Sequence, residues 1–469
     1  MSQFEQLDLV SAADGIAKKE FTSKELTTWS LDRLETIGRQ YNAVFRIDHE
    51  AALSRAHALD ALQASGLLLG PLHGVPLAHK DLIDVAGKEM HAGSKILKGH
   101  LAKKNAWVIR ELDTAGQVNL GSLHMAEFAM SPTGFNGHYG HGLNPWNPEY
   151  PCGGSSSGSG IAVAARLVFG SLGSDTGGSI RQPAFMCGIT GIKPTSKRVS
   201  IDGVFPLSHT LDCVGPLAQT ARDCARLLTH ISRPNPNDPW CTTHPNEDYE
   251  KALTGDLNGI RIGVPQDFYR ENIDAEMTAA LETSLEVLKG RGAKLIEVKV
   301  PNMVRIHDML AIVLTTEAAQ THRDWFEKRP QDYSDQVRAR IKPGFSQSAI
   351  DYVEALRARD HFIQEYLQLC LGNCDALHIP VARSHTPTIA ATTSGDLDHV
   401  LHSISQLTST NRAINYLGLP AMSVPAGFSS RAMPLAFQLV GKPFAENTIL
   451  KIADAYQRDT KWHTMRPNV

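Results

Sequence analysis

Two glycine–serine runs and one lysine carry the residue types needed to cleave an amide without histidine or metal. The first run is Cys152-Gly153-Gly154-Ser155-Ser156-Ser157-Gly158-Ser159. The second is Gly173-Ser174-Asp175-Thr176-Gly177-Gly178-Ser179-Ile180-Arg181-Gln182-Pro183. Upstream, Lys80 ends the mostly apolar stretch Gly74-Val75-Pro76-Leu77-Ala78-His79. Amide cleavage needs a nucleophile, a base to activate it, an acid for the departing nitrogen and donors for the oxyanion. Lysine is a base only when neutral; its ordinary pKa is about 10.4, and burial brings a catalytic lysine to roughly 7–8. The apolar run before Lys80 offers such burial, and a solvated lysine paired with Asp81 is the alternative.

Gly177-Gly178-Ser179 suits an oxyanion site. The glycines let backbone N–H groups approach a substrate, and successive amides in such a turn make an anion-binding nest. A plain flexible turn is the competing reading. Asp175 orients this loop or simply forms an Asx turn, and Arg181 supports the loop rather than touching substrate. Gly154-Ser155-Ser156-Ser157-Gly158 matches the G-x-S-x-G nucleophile elbow, but that motif needs a strand before it. The preceding Asn144–Pro151 is rich in proline and cannot be a central strand. Gly188–Thr195 has the wrong spacing for a phosphate-binding loop. His138 and His141 lack further ligands at metal-site spacing and read as polar loop residues. Met130, His138 and Tyr139 are candidates for a substrate pocket.

The elements that must position these groups alternate. The first sixty residues read as helical, with Thr22 and Glu25 as a capping box and Leu26, Leu31, Leu34 and Ile37 as an apolar face. Beyond Gly74, strand-like runs at 75–78, 118–120 and 167–172 alternate with helical stretches, which reads as α/β. Strand-like 259–264 and 294–300 flank a helix over 275–289. Then follow a long helix over 349–371, strands at 376–379, 421–424 and 435–440, and a helix over 447–456. Residues 232–239 and 383–395 read as loops. No repeat or linker divides the chain, so residues 1–469 read as one domain: helical over 1–65, with a catalytic core over 70–230 and a peripheral, specificity-bearing region over 300–400.

Composition narrows the function classes. A net charge of -3 gives no electrostatic case for nucleic acid or an anionic membrane. The 7 cysteines fit no zinc ribbon or disulfide framework, and reduced structural thiols point to the cytoplasm. The N-terminus shows no secretory leader, and no run of about 20 apolar residues predicts a membrane span.

These motifs resemble the amidase signature family of serine hydrolases. The resemblance runs through Gly74–Asp81, Met125–Met130, Asn144–Trp146, Gly153–Gly160, Gly173–Pro183, Gly188–Pro194, Gly418–Pro425 and Phe437–Gly441. It implies a central twisted mixed β-sheet flanked by helices and no cofactor. It implies Ser179 as acyl-forming nucleophile, Ser155 as relay after a cis Gly154–Ser155 peptide, and Lys80 as base and acid. It places the oxyanion segment at Thr176, Gly177, Gly178 and Ser179. Leu143, where many members carry arginine, and His79, where small residues are common, depart from the family pattern. The leading expectation is an amidase acting on a small-molecule amide, with a homodimer plausible by base rate. The alternatives are the A subunit of a glutamyl- or aspartyl-tRNA amidotransferase, with its partner subunits, and a non-catalytic scaffold.

Overall fold

The computed structural model describes residues 3–469. Met1 and Ser2, part of the stretch read for a leader, lie outside the described residues. Strands β1 (Val44–Ile47), β2 (Pro76–Lys80) and β3 (Val118–Leu123) form a small sheet in the order β1-β3-β2. A large mixed sheet is built from β4 (Gly170–Asp175), β5 (Thr190–Lys193), β6 (Cys213–Ala218), β7 (Arg261–Pro265), β8 (Lys294–Val298), β9 (Ala376–Pro380), β10 (Ala421–Phe428) and β11 (Pro434–Gly441). Its order is β4-β6-β5-β10-β11-β9-β7-β8. β7 runs parallel to β8 and β9, and the other neighbours are antiparallel. Helices flank the sheet, so the α/β expectation holds.

Helix Ala275–Gly290 connects β7 to β8, the unit expected from the sequence. The Thr22–Glu25 capping box forms with both of its bonds. Leu26, Leu31 and Leu34 are buried behind it. β1 then interrupts the region read as helical.

β4 starts and ends three residues later than the sequence suggests, and β5 and β6 give no usable sequence signal. The cause is close packing. A Cβ on Gly173 would lie 2.6 Å from Ser156 Oγ, and one on Gly215 would lie 2.2 Å from Ile192 O. Glycine is needed for these approaches even though it weakens a strand, so propensity points elsewhere.

Residues 383–395 are not wholly a loop, because helix Ile389–Thr393 lies inside them. In the 300–400 region, helices Met303–Lys328 and Ala349–Tyr366 pack through Met303, Ile306, Leu310, Phe362 and Tyr366. All seven cysteines are free, and all but Cys241 are buried. Among the described residues no helix is long and apolar enough to cross a membrane.

Candidate active site

Lys80 is the last residue of β2, and its side chain is fully buried. Its Nζ donates to Ser155 Oγ at 2.7 Å and to Ser174 Oγ at 2.8 Å. Burial lowers its pKa to about 7, against the opposing pull of the Asp212 and Asp175 carboxylates. The solvated pair with Asp81 does not form. The Asp81 carboxylate instead accepts from the His91 N–H at 3.0 Å.

His79 fixes where Lys80 sits. Its Nδ1 accepts from the Leu172 N–H at 3.1 Å, so Nε2 carries the proton and donates to Gln117 Oε1 at 2.9 Å. Burial holds this ring neutral, with a pKa of about 4. Because Leu172 belongs to β4, the ring clips the small sheet to the edge of the large one and brings Lys80 against Ser174.

Ser155 follows a cis Gly154–Ser155 peptide, the feature implied by the family resemblance. Gly154 packs so closely that a Cβ there would lie 2.3 Å from Ser131 O. The Ser156 N–H donates to Ser179 O at 3.3 Å, which joins the two serine segments. Among the described residues no strand leads directly into the first run, so it is not a nucleophile elbow.

The second run is organised by Asp175. Its carboxylate accepts from the N–H groups of Gly178 at 2.7 Å, Ile180 at 3.1 Å and Arg181 at 3.4 Å. Arg181 is fully buried. Its nitrogens bond both Asp175 oxygens, Asn411 O, Gln438 Oε1 and Asn415 Oδ1. Burial pushes the Asp175 carboxyl up, but the Arg181 charge outweighs it and holds the group well below the usual carboxylate range.

In the segment expected to hold an oxyanion, the Gly178 amide donates to the Asp175 carboxylate. Among the described residues the amides of Thr176, Gly177 and Ser179 donate to no protein acceptor. Gly178 serves the turn through its φ of +126° and its approach to Asn411, where a Cβ would lie 3.1 Å from the Asn411 Cβ.

The pocket candidates separate. Met130 lines a cavity of about 260 Å³ together with Leu310, Arg340, Ile404 and Arg412. No residue of either serine segment lines this cavity, though one wall residue and a neighbour of another approach them. Ser131, next to Met130, abuts Gly154, and a Cβ on Gly177 would lie 3.2 Å from Arg412 Cγ. His138 lines a different groove and bonds the buried Glu127 at 2.8 Å. Tyr139 packs edge-on against Phe45 at 4.9 Å and lines neither space.

Sequence reasoning missed Ser174, Asn415, Arg340 and Arg412. Ser174 sits inside the second glycine–serine run, one residue before Asp175. Asn415 stands three residues before the Gly418–Pro425 segment, a buried amide among apolar neighbours, and it donates to the Asp175 carboxylate at 2.9 Å. One group of possible metal ligands, Asp274, Glu276 and His385, shares no residue with this constellation. Asp274 caps a helix, and Glu276 accepts from the Ser430 N–H.

This mixed sheet, with a buried lysine and two serine segments at its edge, defines an amidohydrolase. The chain belongs to the amidase family, whose model matches residues 25–450. Among curated relatives, the A subunit of glutamyl-tRNA(Gln) amidotransferase from Roseiflexus sp. (strain RS-1) is 36% identical, covering 100% of this chain and 99% of its own length. A solved vestigial protein complex, described as revealing the evolutionary origins of an s-triazine catabolic enzyme, superposes with a TM-score of 0.91 at 29% identity, covering 99% of this chain and 100% of that one. The peptide amidase PAM, solved with the competitive inhibitor chymostatin, superposes with a TM-score of 0.89 at 26% identity, covering 100% of both chains.

Proposed function

We propose that the protein hydrolyses a small carboxamide to an acid and ammonia or an amine through an acyl-enzyme on Ser179. The observation that carries this reading is the fully buried Lys80 Nζ, bonded to Ser155 Oγ and held near a pKa of 7. A lysine poised there is neutral in a large fraction of molecules at neutral pH, which a general base requires.

Neutral Lys80 takes the Ser155 proton as Ser155 takes the proton of Ser179. The Ser179 Oγ forms a bond to the carbonyl carbon, and the carbonyl π pair moves onto oxygen. The unspent amides of Thr176, Gly177 and Ser179 suit that oxyanion. When the tetrahedral centre collapses, the C–N bond breaks. Protonated Lys80 then returns its proton through Ser155 to the departing nitrogen. Water repeats the relay in reverse, releasing the acid and restoring Ser179.

A second reading is a glutaminase that works with amidotransferase partners, and the full-length 36% identity to amidotransferase A subunits favours it. The deciding experiment gives the purified chain simple aliphatic and aryl amides and glutamine, with Ser179→Ala as blank and mass spectrometry for the acyl adduct. Hydrolysis of simple amides by the chain alone supports the first reading. Glutamine turnover that needs the other amidotransferase subunits supports the second. No adduct and no turnover under either condition sinks both.

A further inference from the structure

The turn that presents the oxyanion amides has little of its own to hold it. Gly177 and Gly178 follow Thr176, and a glycine pair allows many conformations. Asp175 fixes the far side of the turn by accepting from the Gly178 amide. The near side is fixed by the buried Thr176, whose hydroxyl donates to Asp212 Oδ1. Antiparallel pairing of Asp175 with Cys213 brings the two together, because Thr176 follows Asp175 and Asp212 precedes Cys213. Asp212 is itself held. Its Oδ2 accepts from the Leu207 N–H at 2.9 Å and the Ser208 N–H at 3.1 Å. Glu317, on helix Met303–Lys328, fastens the same stretch by accepting from Ser208 Oγ at 2.6 Å, the Thr210 N–H at 3.0 Å and Thr210 Oγ1 at 2.8 Å. Tyr352 Oη donates to Glu317 at 2.8 Å.

A threonine hydroxyl needs no charged acceptor. Thr190 Oγ1 is satisfied by Gln219 O at 3.0 Å. Thr176 instead meets a carboxylate, in a place where burial, helped by the Glu317 charge, pushes the carboxyl up to about 6 against its own hydrogen bonds. Ionisation held against such opposition clusters at functional sites, and a charge-assisted bond is stronger than a neutral one. The Asp212 carboxylate also favours the charged form of Lys80, as does Asp175. The other titratable groups around Asp212 are Cys213 and, across a small cavity, Lys197, His209, Asp238 and Cys241. Burial pushes both thiols up, so they stay neutral. Among the described residues none of these groups bonds the Asp212 carboxylate.

We propose that Asp212 is a positioning residue of the reaction: by holding the Thr176 hydroxyl it aims the Thr176 amide at the oxyanion. An oxyanion donor is effective when its direction is set before charge develops. Asp212 supplies that direction from outside the glycine–serine run, and Glu317 keeps Asp212 in place from the peripheral helices. In this role Asp212 forms no bond to the reacting atoms. The inference rests on the Ser179 acyl-enzyme reading and adds a residue to it.

The test follows phosphonylation of Ser179 by a fluorophosphonate, whose phosphoryl oxygen takes the place of the oxyanion. Ser179 Oγ bonds phosphorus, fluoride leaves, and the serine proton passes through Ser155 to Lys80. The limiting rate and the half-saturating concentration are measured across the Lys80 acid limb for the wild type, Thr176→Val, Thr176→Ser and Asp212→Asn, with thermal melting of each. Thr176→Val is expected to lower the limiting rate by about tenfold, the scale of one hydrogen bond, with half-saturation unchanged. Thr176→Ser keeps the hydroxyl and restores the rate. Asp212→Asn lowers the rate at least as far and also moves the acid limb to lower pH, because no charge at that position favours protonated Lys80. In Thr176→Val the limb stays in place, since no charge is lost. With wild-type Ser179 labelled, a full rate in Thr176→Val or in folded Asp212→Asn overturns the inference alone, and so does a failure of Thr176→Ser to recover. A limb displaced in Thr176→Val also overturns it, because the loss then arises at Lys80. If Asp212→Asn does not fold, the two threonine variants decide, since among the described residues the Thr176 hydroxyl has no other protein acceptor. A wild type that forms no adduct on Ser179 overturns the acyl-enzyme reading, and the inference falls with it.

Discussion

Lys80 Nζ lies 2.7 Å from Ser155 Oγ, in a side chain with no solvent exposure and no bonded carboxylate. Burial without a bonded counter-charge is what lowers its pKa to about 7. If neutral Lys80 is the base, kcat/KM must rise with pH and level off above an acid limb near pH 7. Protonated Lys80 dominates below that limb and cannot accept the Ser155 proton. Lys80→Met is expected to lower kcat/KM by roughly 10³–10⁴-fold, the upper range for a lost acid–base group. A pH–rate profile settles this: a rate that is flat from pH 5 to 8 would refute the role.

Ser174 is the second oxygen on Lys80, at 2.8 Å. An acceptor favours the charged ammonium, so Ser174→Ala should lower the Lys80 pKa and move the acid limb to lower pH. The lost bond should also cost about tenfold in kcat, on the scale of one hydrogen bond. Ser174→Thr keeps the hydroxyl and should restore both. A purely structural serine would leave the position of the limb unchanged, so the pH profile of each variant separates the two roles.

Arg181 and Asp175 form a fully buried ion pair at 3.0 Å. Removing one partner leaves a buried charge without compensation, which typically costs 3–5 kcal/mol, so Arg181→Met should destabilise the fold by about that much. Asp175 would then lose its hold on the Gly178, Ile180 and Arg181 amides. Denaturant unfolding measures the loss, and a cost of under about 1 kcal/mol would show that the pair does not anchor the turn.

The reach of sequence reasoning follows from this chemistry. The grouping of Lys80 with the two serine segments was legible because glycine pairs and serine clusters in a fixed order are rare. The capping box at Thr22 and the β7–helix–β8 unit were legible because they depend on neighbours in the chain. Ser174 was hidden because its partner Lys80 comes from another sheet. Arg340 and Arg412 were hidden because only the packing of distant helices brings them to one cavity. The bond from the Gly178 amide to Asp175 was hidden for a similar reason, since the partner of a backbone donor is visible only after the turn has folded.

His79 couples the two sheets to the proton balance of the fold. Its folded pKa is about 4, against an unfolded value of about 6.5. Between those values the unfolded chain binds more protons, so stability rises with pH across the window and is lost as pH falls from about 6.5 towards 4. The contribution is complete above that window, and about 2 kcal/mol of it is gone by pH 5. His79→Leu leaves the Leu172 N–H and Gln117 Oε1 without partners, which should cost about 2 kcal/mol at pH 7.5. The leucine does not titrate, so the variant escapes the acid penalty and the gap to wild type should nearly close by pH 5. Other buried histidines titrate equally in both proteins and cancel in the difference. The variant should also lose kcat more than it gains KM, because β2 no longer holds Lys80 against Ser174. Paired denaturant titrations at pH 7.5 and 5 give the result, and a gap that stays constant or widens in acid would remove His79 from this role.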